Sequence, residues 1–333
     1  MDKHEFHLLA STEPLLYFGK LPSRDDFIRS ESGAVVIQPL DRWITVNLEQ
    51  LALAPDWKQQ FDTMSPIDFA FIGKRSNSVL AGRMSGSHDR AGRRYPFLIA
   101  GHLRSETPLK LLPVLPLVLL PAWSEMDELL QVALAAAHIE TALQRIEQAR
   151  LSIDTDSDGL DARFASYLHN TSLSTLQISV RGAGNPVDLR KTIIALGLLL
   201  TPLLSQSAGS ATKGLALPLP GNNGAAALVA ALWLSMLAPF LARSDFDLSV
   251  LRAQLAGRPQ LIISFNGAHP RVIESILNPA CAFDNNIDMC AADWVEDYIA
   301  SEYPLNKLSS YLSLPDLSLA QALQTFNEVF LGA

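Results

Sequence analysis

Two short segments concentrate the residue types that do chemistry. They are Gly19-Lys20-Leu21-Pro22-Ser23-Arg24-Asp25-Asp26-Phe27 and Ser85-Gly86-Ser87-His88-Asp89-Arg90-Ala91-Gly92-Arg93-Arg94-Tyr95-Pro96-Phe97. Each leaves an apolar, strand-like run. Each mixes glycine and proline, which set backbone geometry, with cations and carboxylates suited to ion pairs. Ser87, His88 and Asp89 have the side chains of a hydrolase triad, but they are consecutive. Neighbouring side chains diverge, whereas a triad needs the carboxylate to orient an imidazole that in turn bonds the serine. The nucleophile elbow Gly-x-Ser-x-Gly is also absent. Gly19-Lys20 is not a phosphate loop, because Leu21-Pro22 follow where further donating amides are needed. Thr212-Lys213-Gly214 fails the same test for want of an upstream glycine. Asp154-Thr155-Asp156-Ser157-Asp158-Gly159 copies the opening of an EF-hand loop, yet Ala165 stands where the bidentate glutamate belongs. A solvated linker whose last aspartate caps the next helix explains that string as well. His4-Glu5-Phe6-His7 is too terminal and sparse for zinc, and Cys281 and Cys290 have no paired ligands. No catalytic residue, metal or cofactor is expected.

What remains is the surface around the two turns, with Asp41 and Trp43 early in the helix between them. Lys20, Arg24, Arg90 and Arg93 are the leading candidates for contact with a partner, joined by Arg94 and Trp43. Gly19, Pro22, Ser23, Asp26, Asp41, Asp89, Gly92, Tyr95 and Pro96 are expected to build the turns. The cluster can be an internal ion-pair network or a recognition patch, since arginine and aromatic residues favour interface hot spots.

These residues carry a resemblance. Gly-Lys-Leu-Pro-Ser-Arg at 19–24, Pro39-Leu40-Asp41-Arg42-Trp43, and Asp89-Arg90-x-Gly92-Arg93-x-Tyr95-Pro96 are similar in order and spacing to TagF, from residue 14 to residue 103. That family usually has Gly-Asp-Phe where this chain has Asp25-Asp26-Phe27, which replaces a residue often chosen for positive φ. A looser likeness surrounds Lys213 to Gly221. The resemblance implies a cytoplasmic, non-enzymatic regulator of bacterial type VI secretion. It would repress the apparatus post-translationally by binding the forkhead-associated scaffold Fha, and in some bacteria oppose activation through a threonine kinase and its phosphatase. The alternative is an α/β enzyme or sensor that takes a small phosphorylated ligand near Gly221-Asn222-Asn223-Gly224, a turn between a strand and a helix.

Composition bounds these readings. The 333 residues are 48% apolar and 18% charged, as in globular proteins with a substantial core. A net charge of −8 argues against a nucleic-acid binder, although Arg83, Arg90, Arg93 and Arg94 suggest a local basic patch. Two cysteines supply no disulfide framework and the N-terminus lacks a signal-peptide core, which points to a reducing cytoplasm. The apolar runs 109–120 and 192–204 are too short to span a bilayer. The run 225–242 is alanine-rich and holds Pro239, which favours a buried helix over an integral membrane segment.

The elements that must position the turns follow from periodicity. A strand at 14–18 precedes an amphipathic helix with Ile37, Leu40, Ile44, Leu48 and Leu51 on one face, and Trp57 and Phe61 mark a short second helix. Strands at 67–73 and 78–84 form a hairpin through Lys74-Arg75-Ser76-Asn77, and another strand runs from Phe97 to Leu103. Helices fill 121–150, opening on a Ser124–Asp127 capping box with Trp123, Met126, Leu130, Ala133, Ala137 and Leu143 on one face. After an acidic boundary at 153–161, Leu176, Ile178 and Val180 alternate as in a half-buried strand. Further strands at 215–219 and 260–265 alternate with helices at 188–204, 225–242 and after His269-Pro270. Helices at 293–300 and 318–331 close the chain. The expected fold class is α/β, a layered α-β-α sandwich of two units. Residues 1–150 would hold a mixed sheet and residues 158–333 a mostly parallel one with right-handed crossovers.

Overall fold

The computed structural model describes residues 8–9, 13–73, 78–105, 108–204, 213–242 and 247–332. The expected turn Lys74–Asn77, the His4–His7 segment and Thr212 lie outside them. The strands are β1 (Leu8–Leu9), β2 (Leu16–Gly19), β3 (Ile28–Arg29), β4 (Ile67–Ile72), β5 (Ser78–Ser85), β6 (Phe97–Ser105), β7 (Gly214–Pro218), β8 (Leu248–Leu255), β9 (Arg258–Ser264) and β10 (Asn286–Asp288). They join one sheet in the order β10-β7-β9-β8-β4-β5-β6-β2-β3, with β1 also pairing β6. The helices are α1 (Ala34–Leu51), α2 (Trp57–Asp62), α3 (Leu115–Val118), α4 (Leu120–Ala135), α5 (Glu140–Gln148), α6 (Ser157–Asn170) and α7 (Leu173–Gly182). The second half adds α8 (Leu189–Leu200), α9 (Asn223–Leu241), α10 (Val272–Leu277), α11 (Val295–Ser301), α12 (Tyr303–Leu312) and α13 (Leu319–Leu331).

The layering follows from side chains alternating along each strand. Tyr17, Ala70, Ala81, Ile99, Leu217, Val250 and Ile263 enter a core shared with α3–α9 and α11–α13. Their neighbours Phe18, Phe69, Leu98, Ala216, Leu251 and Ile262 enter a second core under α1, α2 and α10. Both faces are therefore covered, which is why the strands read as nearly continuous apolar runs. The α/β sandwich is as expected. The mostly parallel second sheet is not, because β7–β9, β9–β8 and β8–β4 all pair antiparallel and only β7–β10 is parallel.

The cause is β8, which the pattern Leu-Ser-Val-Leu-Arg-Ala-Gln-Leu conceals with residues at home in helices. Ala256 (φ 49°) and Gly257 (φ 74°) connect β8 to β9. Two central residues with positive φ are the hairpin turn that matches strand twist.

Two further corrections concern helices. Leu176–Val180 belongs to α7, capped by Ser172 accepting from the Thr175 amide. Leu173, Leu176 and Val180 are buried at helical spacing while Ile178 is exposed. Three positions cannot separate a period of two from one of 3.6. Likewise α4 starts before Ser124, whose hydroxyl donates back to the Leu120 carbonyl (2.9 Å) instead of capping, and Ala137 lies beyond its end. Among the described residues α9 is the one helix long and apolar enough to cross a membrane, and 67% of its apolar stretch is buried. Trp233 anchors it by donating to the Pro218 carbonyl (3.0 Å).

Candidate functional site

Strand register brings the two charged turns together. β2 and β6 are antiparallel with Gly19 opposite Phe97, and β5 ends with Ser85 opposite the same Phe97. The chain leaving β2 and the chain entering β6 therefore meet at one end of the sheet. Gly19 makes the approach possible. Its φ is +132°, and a Cβ there would overlap the Pro96 carbonyl oxygen. β3 returns antiparallel to β2, Gly19 facing Ile28, and closes the first turn.

Asp89 is the centre of the assembly and is completely buried. Its carboxylate receives Lys20 Nζ (3.0 Å), Arg93 Nε (2.6 Å) and the Arg93 amide (2.9 Å). Burial pushes this carboxyl up, but the Arg93 amide with the Lys20 and Arg93 side chains outweighs it and holds the pKa well below the ordinary 3.8. Gly92 takes φ +76° so that its amide can donate to the Asp89 carbonyl (2.8 Å). Main chain locks turn to turn: the Arg90 amide donates to the Arg24 carbonyl (2.8 Å) and Ser87 Oγ to the Lys20 carbonyl (2.7 Å). Arg90 donates to the Ser23 carbonyl (2.8 Å) and Asp25 carboxylate (3.0 Å), and Arg93 to the Asp25 carbonyl (2.6 Å).

Beneath the turns, Tyr95 donates to Asp41 Oδ1 (2.7 Å), and burial, then that carboxylate, pushes the phenol pKa far up. Phe27 stacks on Phe18 (5.6 Å between centroids), meets Tyr95 edge-on (4.8 Å) and lies under Lys20 Nζ (4.7 Å).

The expected site residues separate into two sets. Gly19, Asp89, Gly92, Tyr95 and Pro96 lie in the turns or at their ends, Asp41 lies in α1 and bonds Tyr95, and Pro22 and Ser23 lie along the first turn. Asp26 is exposed and, among the described residues, receives only the Phe27 amide (2.8 Å). Lys20 and Trp43 do not present themselves to a partner. Both are buried, Lys20 on Asp89 and Trp43 donating to the His269 carbonyl (2.9 Å). Arg94 forms a two-pronged pair with Asp62 of α2 (2.6 and 2.7 Å), and that bond depresses the Asp62 pKa. Arg83 leaves the expected basic patch, pairing inside the sheet with Asp68 and with Asp127 (2.9 Å). Arg24, Arg90 and Arg93 stay substantially exposed, with Arg24 reaching Glu140 on α5 (2.6 Å). Asp25 has no positive φ, so the substitution for glycine is unstrained and supplies the partner of Arg90. Phe27, 44% exposed beside these arginines, is a surface residue that sequence reasoning left unassigned. An aromatic at the end of a charged turn was the available signal. Asp62 and Glu140 are remote in sequence and gave none.

The other candidates are occupied by structural work. The Ser87 hydroxyl and the Asp89 carboxylate both bond Lys20, and His88 Nδ1 meets the Asp89 main-chain carbonyl (2.8 Å) instead of either side chain. In the acidic string it is Asp156, not the last aspartate, that caps α6 by accepting the Gly159 amide (2.9 Å). Among the described residues no three His, Cys, Asp or Glu are placed to hold a metal ion. Burial raises Cys281 to about 11 and Cys290 to about 12, which keeps both thiols protonated. At the Gly221–Gly224 turn, Asn222 Oδ1 accepts the Ala225 amide (3.1 Å) and so takes a place an anion would need.

Comparison with known proteins gives three findings. Residues 17–150 match the family described as TagF N-terminal domain, type VI secretion system-associated. No curated protein matches the chain. Among solved structures it is similar to PA0076 from Pseudomonas aeruginosa PAO1, with 23% identity and a TM-score of 0.36 over 40% of this chain and 61% of that one.

Proposed function

We propose, from the match of residues 17–150 to the TagF N-terminal domain family, which is type VI secretion system-associated, that this chain is a non-enzymatic repressor of type VI secretion. It acts in the cytoplasm by docking the forkhead-associated scaffold Fha. The docking face is the joined pair of turns, with Arg24, Arg90, Arg93 and Phe27 outermost. The supporting observation is the buried Asp89, which fixes both turns from within while those four side chains remain open to a partner. Rigid arginines beside an exposed aromatic are what protein interfaces use as hot spots, because little side-chain order remains to be lost on binding. Where a threonine kinase and phosphatase act on the apparatus, occupation of Fha would oppose them.

Purified Fha and this chain provide the test. Arg90→Ala is expected to weaken binding tenfold or more, by about 1.4 kcal/mol. It removes an exposed pair with Asp25 and an exposed bond to the Ser23 carbonyl, so stability should stay within about 1 kcal/mol. Full-strength binding by the variant would remove this face from the mechanism, and no binding of the wild type at tens of micromolar would remove Fha.

A further inference from the structure

Four of the five Phe, Trp and Tyr side chains left exposed among the described residues, Trp294, Tyr298, Tyr303 and Tyr311, lie on α11 and α12 or at the start of α11, with exposed Leu314 just beyond. Single exposed apolar residues are ordinary, but a concentration of aromatics marks a contact surface. α12 and α13 also bound an open groove of about 720 Å³. Tyr303, Lys307 and Tyr311, at four-residue spacing and so on one face of α12, form one wall. Gln324, Thr325 and Glu328 of α13 form the other. Tyr303 is 79% exposed at the groove's rim.

The segment that forms this groove is acidic overall, although the lining itself holds one cation, Lys307, and one anion, Glu328. From residue 293 onward the sequence has six acidic side chains against one basic, Lys307. Asp293 and Glu296 are answered by Lys191 and Arg190. Asp297, Glu302 and Asp316 have no ion pair among the described residues, and Glu328 faces the groove with a bond from Gln324 (3.0 Å). Glu302 and Asp316 therefore put negative charge beyond both ends of α12.

We propose that the α12–α13 groove is a docking site for an amphipathic helix of a partner protein, rich in lysine or arginine. Its apolar stripe would lie on Tyr303 and Tyr311, and its cations would face Glu302, Asp316 and Glu328. Helices seat in grooves of this kind by such anchors, and the unpaired carboxylates select a basic partner over an acidic one. The site uses none of the residues of the two turns and stands apart from the reading given for them.

The experiment uses the full chain and a labelled 18-residue amphipathic peptide of leucine, lysine and arginine, followed by fluorescence anisotropy at about 150 mM salt. Micromolar binding is expected, weakened at least tenfold by Tyr303→Ala with Tyr311→Ala. The same peptide with glutamate for every cation should not bind. Because both tyrosines are exposed, the variant should melt within about 2 °C of the wild type. If it does not, Thr325→Trp, which fills the groove from the α13 side, must cause the same loss. Undiminished binding by the variants would reduce the effect to adhesion on an acidic surface and overturn the proposal. So would equal binding of the glutamate peptide, or no binding of the cationic one. A wild-type dimer in the ultracentrifuge that the tyrosine variant makes monomeric would overturn it too, by seating a second copy in the groove.

Discussion

Asp89 shows how one residue can hold a surface without being part of it. Its carboxylate has no exposure, yet the arginine it binds through Nε carries an exposed side chain. Three donors converge on it, and a buried charge is tolerable only when it is paired and hydrogen-bonded in this way. The sign of its pH dependence follows. A carboxyl whose folded pKa lies below its ordinary 3.8 contributes stability that is present above that value and lost as pH falls towards the folded one. Stability of the wild type is therefore expected to decline as pH drops below about 4. Asp89→Asn should be less stable at neutral pH, because it strands buried Lys20, and flatter across the acid range. Denaturant midpoints measured from neutral pH downwards check both, and an unchanged acid slope in the variant would place the linkage on another group. The residue types at this site were legible in the sequence. Which of them are buried was not, since Lys20 and Arg24 sit in the same turn and differ only in which way the fold lets them point.

Among the elements, α1 is the link between the site and the rest of the molecule. Its apolar face was readable from the spacing of Ile37, Leu40 and Ile44. Asn47 lies on that same face and is completely buried. Its Oδ1 accepts the amide of Ile273 (2.8 Å) at the start of α10, while its Nδ2 donates to the Trp43 carbonyl (2.8 Å). A side chain on one helix thus caps another more than two hundred residues away in sequence. Asn47→Ala leaves that amide buried and unpaired and is expected to cost about 1–3 kcal/mol, measured by chemical denaturation. A loss below about 0.5 kcal/mol would mean that water replaces the asparagine. Short elements were the hardest to read. β3 and β10 carry too few periodic positions to declare themselves, β8 was obscured by composition, and α12 went unread although Leu305, Leu308 and Leu312 lie at helical spacing.

At the scale of the whole molecule, β4 and β8 join the family-matched region to the remainder of the chain in one continuous sheet. Asp68 on β4 stands directly opposite Arg83 on one neighbour and Arg252 on the other. Arg252 Nη2 bonds it at 2.7 Å, and the guanidinium rests on Trp123 (4.8 Å). A fragment of residues 1–150 would open the β4 edge and leave Asp68 and Arg83 half-partnered. It is expected to self-associate, and co-expression with residues 158–333 should restore a soluble one-to-one complex on gel filtration. A monodisperse, cooperatively folding fragment would instead make the first 150 residues an independent unit.

By itself, the sequence determined the α/β class, the strands and helix that frame the two turns, and the residue types gathered there, because apolar period and turn chemistry are local properties. Tertiary structure alone decided that the second half pairs antiparallel, that its sheet continues the first, and that Asp62, Glu140 and His269 complete the surroundings of the turns. Those outcomes depend on strand partners and buried charges that meet only when distant segments are packed, and no local window contains them.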